Sequence, residues 1–168
     1  VFVWKTTMSE TMITKEELAS LSNNPTVLEK SNAVKKVSTF YNSGKLTDKG
    51  QKLAEDIFRL MVADAEVKVR EVLSDSLKSC DNIPKDVVNK LISDTTSVAV
   101  PFIKFYTHLS NDDLISILDA QNIEKQKAIA LRAHVPHHIS DYIVEKCPEE
   151  VVGTLISNEK AELKETTY

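Results

Sequence analysis

Four histidines are the residues whose type and spacing most readily suggest metal chemistry. His134, His137 and His138 lie close together, and His108 precedes His134 by 26 residues. Two histidines four residues apart on one helix can bind the same zinc ion. Pro136, however, is predicted to begin a new helix between His134 and His138, which breaks that geometry. We therefore predict no metal site, and we expect His108 and His134 near helix C-termini, where the helix dipole favours an imidazolium.

Acidic pairs are the next candidates, because two carboxylates can divide acid and base roles. A catalytic carboxylate needs burial and a partner that shift its pKa. The pairs here are instead predicted in first helical turns, where a carboxylate stabilises the helix: Glu16-Glu17, Asp112-Asp113 and Glu149-Glu150. With only three glycines, the chain has no glycine-rich phosphate loop and no Gly-x-Ser-x-Gly turn. We predict that the protein is not an enzyme, with no catalytic residues and no cofactor.

A set of cations suggests binding rather than catalysis. These cations lie on helices that are predicted to follow an inter-helix turn. Tyr106 is expected to reach the surface near them, whereas Phe102 and Phe105 are expected in the core. The predicted partner-binding stripe, suited to an acidic ligand, consists of Arg70, Lys104, Tyr106, Lys127 and Arg132. The alternative is a solvated helix face that binds nothing.

Composition favours an all-helical protein whose main ligand is not a nucleic acid. Few glycines and prolines mean few tight turns, which disfavours a sheet. The net charge of −4 disfavours a nucleic-acid ligand, because phosphate binding needs a basic excess. Cys80 and Cys147 match no metal or redox spacing and are interpreted as free thiols in a reducing compartment, with one long-range disulfide as the alternative. No apolar run is long enough to span a membrane, and we predict a cytoplasmic protein.

A 26-residue period organises the second half of the chain. Apolar residues recur at this interval in several columns, and Ser140 is the single polar exception. The first three residues of the first column each precede a helix-start residue, namely Pro84, Ser110 and Pro136. The columns are Ile83, Leu109, Val135 and Ala161; Leu77, Ile103, Ile129 and Leu155; Leu91, Ile117 and Ile143; Ile92, Leu118 and Val144; and Val88, Leu114 and Ser140. A unit of this length fits two short helices that bury their apolar faces by stacking on neighbouring units.

The stretch DAEVKVR, residues 64–70, is interpreted as a turn between two stacked helices. Asp64 is expected to accept hydrogen bonds from the free amides at the start of the second helix. Val69 is expected in the core, and Arg70 is expected to bond turn carbonyls or aspartates of adjacent units. Asp94 occupies the equivalent turn of the next unit.

Two resemblances follow from these motifs. Asp-x-x-x-x-Val-Arg across a turn resembles the HEAT-repeat signature, clearly only at residues 64–70. The segments LTDKGQKLAEDIFRLMVADAEVKVREVLSDSL, IPKDVVNKLISD, LSNDDLISILD, KAIALRAHV and EEVVGTLISN together resemble an alphaproteobacterial domain family of unknown function with HEAT-like helical repeats. This resemblance spans roughly residues 14–160 and implies a bacterial, cytoplasmic repeat protein, with no catalytic residues to transfer.

The sequence thus predicts an all-α fold, a short right-handed α-solenoid of HEAT-like hairpins with about 9–10 helices in a single domain. Residues 1–13 are predicted as an N-terminal extension, 14–160 as the repeat domain and 161–168 as a C-terminal cap or tail. We expect a protein–protein interaction or scaffold module that binds a peptide, helix or protein partner on its stacked helices. The alternative is a nucleic-acid-binding HEAT-like protein with a basic concave stripe. Exposed terminal repeats leave homo-oligomerisation open.

Overall fold

The computed structural model describes residues 24–163, and these residues form nine α-helices and no strand. The predicted all-α class is therefore confirmed for this part of the chain. The helices are α1 (Val27–Asn42), α2 (Asp48–Val62), α3 (Val67–Leu77), α4 (Lys85–Ser93), α5 (Thr96–Phe105), α6 (Asn111–Asp119), α7 (Ile123–Ala130), α8 (His137–Lys146) and α9 (Glu149–Ile156).

The chain divides into two compact units, Val1–Ser76 and Leu77–Tyr168. The extension predicted for residues 1–13 and the acidic pair Glu16-Glu17 lie outside the described residues. None of the helices in residues 24–163 combines the length and the apolar character that a membrane crossing requires.

In the first unit, α1 and α2 pack against each other. The Thr26 hydroxyl caps α1 by accepting from the Glu29 N–H, and the Glu29 carboxylate accepts from the Thr26 N–H at 2.7 Å. This reciprocal pair satisfies amides that the helix start would otherwise leave unbonded. Phe58 is fully buried on α2, and the Tyr41 ring meets it edge-on, with the two ring centroids 5.2 Å apart.

The turn before α3 forms as the sequence predicts. One Asp64 carboxylate oxygen accepts from the Glu66 N–H at 2.9 Å, and Val69 is fully buried. Arg70 donates to the carbonyls of Asp64, at 2.8 Å, and Ala65, at 3.3 Å. Sequence reasoning missed Lys30, whose ammonium lies 2.7 Å from the other Asp64 oxygen. Burial raises the pKa of Asp64, but the hydrogen bonds from Lys30 and Glu66 outweigh it and leave the pKa below its ordinary value.

The second unit consists of three helical hairpins: α4–α5, α6–α7 and α8–α9. The two helices of each hairpin pack together. Among the second helices of the hairpins, α5 packs against α7 and α7 against α9. Among the first helices, α6 packs against α8.

The 26-residue columns coincide with the core of this unit. The predicted helix-start residues Pro84, Ser110 and Pro136 are the N-caps of α4, α6 and α8. The column residues are buried except Val144, which is exposed, and Ala161, which is half-buried. Ser140 is buried although it is polar, and its hydroxyl has no hydrogen-bond partner in the described structure. The period therefore predicted the burial of this unit correctly at nearly every position.

The segment predicted as a cap or tail begins within the described residues. Ala161 forms an isolated parallel bridge with Val135, and the Glu162 N–H donates to the Val135 carbonyl at 3.1 Å. These contacts hold residues 161 and 162 at the start of α8.

Candidate partner-binding surface

One position recurs at the joints between successive hairpins. Tyr106, Arg132 and Asn158 are spaced by 26 residues, and each lies one or two residues after the end of the second helix of its hairpin. The Arg132 guanidinium donates to the carbonyl of Ile103 in the last turn of α5. The Asn158 amide donates to the carbonyls of Ala130, at 2.8 Å, and Arg132, at 2.9 Å. These donors satisfy carbonyls that a helix end leaves free, and they join each hairpin to the one before it.

Tyr106 is buried, contrary to the prediction that it reaches the surface. Only 3% of it is exposed, its ring stacks on Phe102 with a centroid distance of 4.6 Å, and its hydroxyl hydrogen-bonds with the backbone of Ile83. Burial raises the pKa of Tyr106. Phe105, predicted in the core, is instead 52% exposed. Tyr106 follows Phe102 by four residues and shares its face of the helix, whereas Phe105 lies roughly a quarter turn from the centre of the buried face.

Arg132 is also buried, with 8% of it exposed. Desolvation lowers the pKa of its guanidinium, and Nε has no hydrogen-bond partner in the described structure. The Arg132 side chain therefore bonds the end of α5 in the protein interior. It is not exposed on a binding stripe, contrary to the prediction.

Lys125 is a buried cation that sequence reasoning missed. Its ammonium donates to the carbonyls of Ile92, at 2.9 Å, and Asp94, at 2.7 Å, which end the first helix of the preceding hairpin. Burial lowers the pKa of Lys125, and the nearby Asp94 carboxylate opposes that shift. The Asp94 carboxylate itself accepts from the Thr95 N–H at 2.6 Å, as its predicted turn role requires. One signal in the sequence could have predicted this burial. Lys125 lies 26 residues after Ala99 and 26 residues before Val151, and both of these residues are apolar and buried.

The remaining predicted cations have different surroundings. The Lys127 ammonium pairs with Glu150 on α9 and lies 3.9 Å from Glu124. The hydrogen bond to Glu150 raises the pKa of Lys127. Arg70 belongs to the first unit, where it bonds its own turn. Lys104 is half-buried at the end of α5 and makes no salt bridge with the described residues.

Lys104 and Phe105 form, with Lys78, a cluster at the end of α5. The Lys78 ammonium lies 5.1 Å and the Lys104 ammonium 5.4 Å from the centroid of the Phe105 ring. Both distances are within the range of a cation–π interaction. We call Lys78, Lys104 and Phe105 the α5-end cluster.

Exposed apolar side chains of the second unit concentrate on its second helices. Phe105 ends α5, Ile123 begins α7, Leu131 caps α7 and Ile156 ends α9; all are exposed. Phe105 and Leu131 are separated by 26 residues and thus hold the same position in successive hairpins. Val144, on α8, is the one large apolar residue on a first helix that is exposed in the described part of this unit.

The histidines face carboxylates of other segments. His108 Nε2 lies 2.8 Å from Asp81, His134 Nδ1 lies 3.6 Å from Glu162, and His137 Nε2 lies 3.8 Å from the same Glu162. Pro136 separates His134 from α8, as predicted. In the described part of the chain, no group of three or more histidine, cysteine or acidic residues has an arrangement that could hold a metal ion.

The acidic pairs within residues 24–163 lie in first helical turns, and both thiols are at least partly buried. Asp113 accepts from the Ser110 N–H and hydroxyl and from Lys85 on α4. Glu149-Glu150 lies in the first turn of α9, as predicted. Cys80 and Cys147 are not joined in a disulfide. Burial raises the pKa of Cys80 to about 11 and also raises the pKa of Cys147, which disfavours their reactive thiolate forms.

Comparison with known proteins gives one match. Residues 98–168 match a family described as an uncharacterised protein conserved in bacteria (DUF2336). The predicted resemblance to a family of unknown function is confirmed over this region. Neither the curated proteins nor the solved structures give a match to the chain.

The matched region includes most of the features described above. It begins within α5 and continues through α6–α9, and it contains Lys104, Phe105, Leu131 and Ile156. It also contains the joint residues Tyr106, Arg132 and Asn158. The similarity to this bacterial family therefore covers the second and third hairpins. It also covers the second-helix surface, which we define as the exposed apolar residues Phe105, Ile123, Leu131 and Ile156.

Proposed function

We propose that this protein is a non-enzymatic interaction module that binds a peptide, helix or protein partner on the exposed side of α5, α7 and α9. The observation that carries the proposal is the distribution of exposed apolar residues. Phe105, Ile123, Leu131 and Ile156 all belong to second helices or their caps, and these helices pack side by side. Exposed apolar residues that cluster are typical of protein interfaces, whereas scattered ones need no explanation.

We infer that the three hairpins stack as part of a short right-handed α-solenoid with HEAT-like units. The repeated joint bonds of Arg132 and Asn158 support this arrangement, as do the successive contacts between α5, α7 and α9. In such a stack the second helices would line the concave side and offer an extended, preformed surface. A cytoplasmic location and association through the repeat ends belong to the same proposal.

Protein binding is better supported than nucleic-acid binding. Of the cations in the predicted stripe, Arg132 donates to a backbone carbonyl in the protein interior and Lys127 pairs with Glu150. Cations that are already committed to protein acceptors contribute less to phosphate binding, which depends on releasing counterions from the nucleic acid.

The proposal is tested by capture from a bacterial lysate with quantitative mass spectrometry. A double variant, Phe105→Ser with Leu131→Ser, removes two apolar contacts from the second-helix surface. Both side chains are about half exposed, so we expect a change in stability of only about 0.5 kcal/mol per substitution. Partners that the wild type retains should be lost from the double variant.

Val144→Ser provides the matched control, because Val144 is exposed to a similar extent but lies on a first helix. This variant should retain the same partners as the wild type. Identical protein sets from all three baits, or equal losses from the control and the double variant, would refute the proposed surface.

A further inference from the structure

The end of the first unit where α1 connects to α2 is strongly basic. Residues 35–53, which include the second half of α1, the connecting turn and the start of α2, contain five lysines and one aspartate. This segment therefore has a net charge of +4, and the remainder of the chain has −8. Because salt screens exposed charges beyond about 10 Å, an anionic partner responds to this local charge more than to the net charge of the chain.

Three lysines around the start of α2 make no ion pair with residues 24–163. Lys45 lies in the turn, and Lys49 and Lys52 lie in the first two turns of α2; all three are exposed. Asp56, further along the helix, pairs instead with Arg59 at 3.1 Å. A lysine near the N-terminus of a helix also opposes the helix dipole, so the charges of Lys49 and Lys52 do not stabilise α2.

Two leucines on α2 are among the most exposed large apolar side chains of the described chain. Leu53 is 52% exposed and Leu60 is 68% exposed. Together with Lys49 and Lys52 they follow i, i+3, i+4 and i+11 spacing, which places all four on one side of α2. Phe58, which is fully buried, lies on the opposite side of the helix. We call Lys49, Lys52, Leu53 and Leu60 the outer stripe of α2.

We propose that the outer stripe of α2 binds the surface of an anionic lipid bilayer. The lysine ammonium groups contact lipid phosphates, and the two leucine side chains enter the layer between the headgroups and the acyl chains. Lysines beside exposed apolar residues are the pattern by which interfacial helices bind anionic membranes. This contact uses none of the residues of the second-helix surface, so an anionic membrane would hold the interaction module while that surface binds its partner.

The shape and composition of the stripe favour a bilayer over a peptide or a nucleic acid. The stripe lies opposite the buried side of a single helix, so it forms a ridge. A ridge suits a deformable plane, whereas an amphipathic peptide helix binds in a groove. Proteins that bind single-stranded nucleic acid supply aromatic rings on which bases stack. The outer stripe of α2 contains no aromatic residue and no arginine.

Flotation of the whole chain with lipid vesicles tests the inference. One set of vesicles contains only phosphatidylcholine, and the other contains equal parts of phosphatidylcholine and the anionic phosphatidylglycerol. We expect the affinity for the anionic vesicles to be at least about tenfold higher than for the neutral ones. This affinity should fall as salt screens the charges.

Two double variants separate the contributions of charge and apolar contact. Lys49→Glu with Lys52→Glu should weaken binding to the anionic vesicles at least about tenfold, because each lysine near the surface contributes roughly fivefold. Leu53→Ser with Leu60→Ser should weaken it by a similar factor and should remove the part that persists at high salt. All four positions are exposed, so circular dichroism should show an unchanged fold.

Lys90→Glu and Leu131→Ser are the matched controls, because both residues are exposed and lie in the second unit. Each should leave vesicle binding unchanged. The inference is wrong if the chain binds neither kind of vesicle, binds both equally, or loses as much binding in the controls as in the stripe variants.

Three further outcomes would give the stripe a different partner and overturn the inference. Displacement from the anionic vesicles by oligothymidine at equal charge concentration would assign the stripe to nucleic acid. The same displacement by polyglutamate would assign it to an acidic protein segment. A dimer in vesicle-free solution that Leu53→Ser with Leu60→Ser abolishes would assign it to a second copy of this chain.

Discussion

The two units of the chain use cations on backbone carbonyls in different ways. In the first unit, Arg70 donates to the carbonyls of Asp64 and Ala65 and so closes the turn that precedes its own helix. In the second unit, Lys125 reaches carbonyls 31 and 33 residues back along the chain, at the end of α4. The bond is chemically the same, but Arg70 stabilises a local turn whereas Lys125 joins one hairpin to another. The sequence separation and the burial of such a bond, and not its type, decide how much of the fold depends on it.

The largest expected effect is at Lys125. Lys125→Met keeps most of the side-chain stem but removes both charge-assisted hydrogen bonds and leaves the Ile92 carbonyl buried without this donor. We expect the free energy of unfolding to fall by about 2 kcal/mol, because relief from burying the charge offsets part of the loss. Urea denaturation measures the change. Lys90→Met, on an exposed lysine, should change it by less than about 0.5 kcal/mol, and equal effects of the two would show that Lys125 does not join the hairpins.

An intermediate effect is expected at Asp113, which accepts from Lys85 in the preceding hairpin. Burial raises its pKa, but the hydrogen bonds from Lys85 and Ser110 outweigh this and hold the pKa below the ordinary 3.8. A depressed carboxyl pKa stabilises the fold above pH 3.8, and that contribution is lost as pH falls through the lower folded-state value. The free energy of unfolding of the wild type, measured by urea denaturation at a series of pH values, should therefore fall as the pH drops below 3.8. In Asp113→Asn this fall should be smaller.

Asp112→Asn changes the exposed neighbouring carboxylate and is the control for this pH measurement. If Asp112→Asn and Asp113→Asn alter the acid dependence equally, the link between Asp113 and Lys85 has no specific effect.

The smallest effect is expected at Arg70, although its hydrogen bonds resemble those of Lys125. Arg70→Met should lower the free energy of unfolding by less than about 1 kcal/mol, because the side chain is half-exposed and its acceptors can bond water. Hydrogen exchange should show faster opening at the start of α3 only. A loss as large as that of Lys125→Met would contradict the distinction between local and inter-hairpin bonds.

The sequence predicted the hairpin boundaries and the core of the second unit because both depend on local and periodic patterns. Pro84 and Pro136 begin helices by their backbone preferences, and Ser110 does so through its capping hydroxyl. Apolar residues at a fixed interval share one environment. The Asp64 turn was likewise predictable, since its acceptor bonds an amide two residues away. The Lys30 partner of Asp64 was not, because that contact spans 34 residues and leaves no periodic signal.

The candidate surface was harder to predict, and the errors have physical causes. Charge type alone placed Arg132 on the surface, but a long side chain can bury its stem and bring its charged end to a helix end. Tyr106 and Phe105 were exchanged between surface and core because two adjacent aromatics at a helix end differ only in their angle around the helix. The interval of 26 residues linked Tyr106 to Arg132 and Asn158, so the joint position was visible in the sequence although its chemistry varied.

The variation at that joint position has an evolutionary consequence. Arg132 and Asn158 bond carbonyls of the preceding hairpin through a guanidinium and an amide, which differ in length and shape. The Tyr106 hydroxyl instead bonds the backbone of Ile83, just before the first helix of its own hairpin. Hairpins that arose as copies would thus have ceased to be interchangeable. Deleting or shuffling one of them would create a junction with mismatched donors, so recombination that alters the number of units should be selected against in this protein.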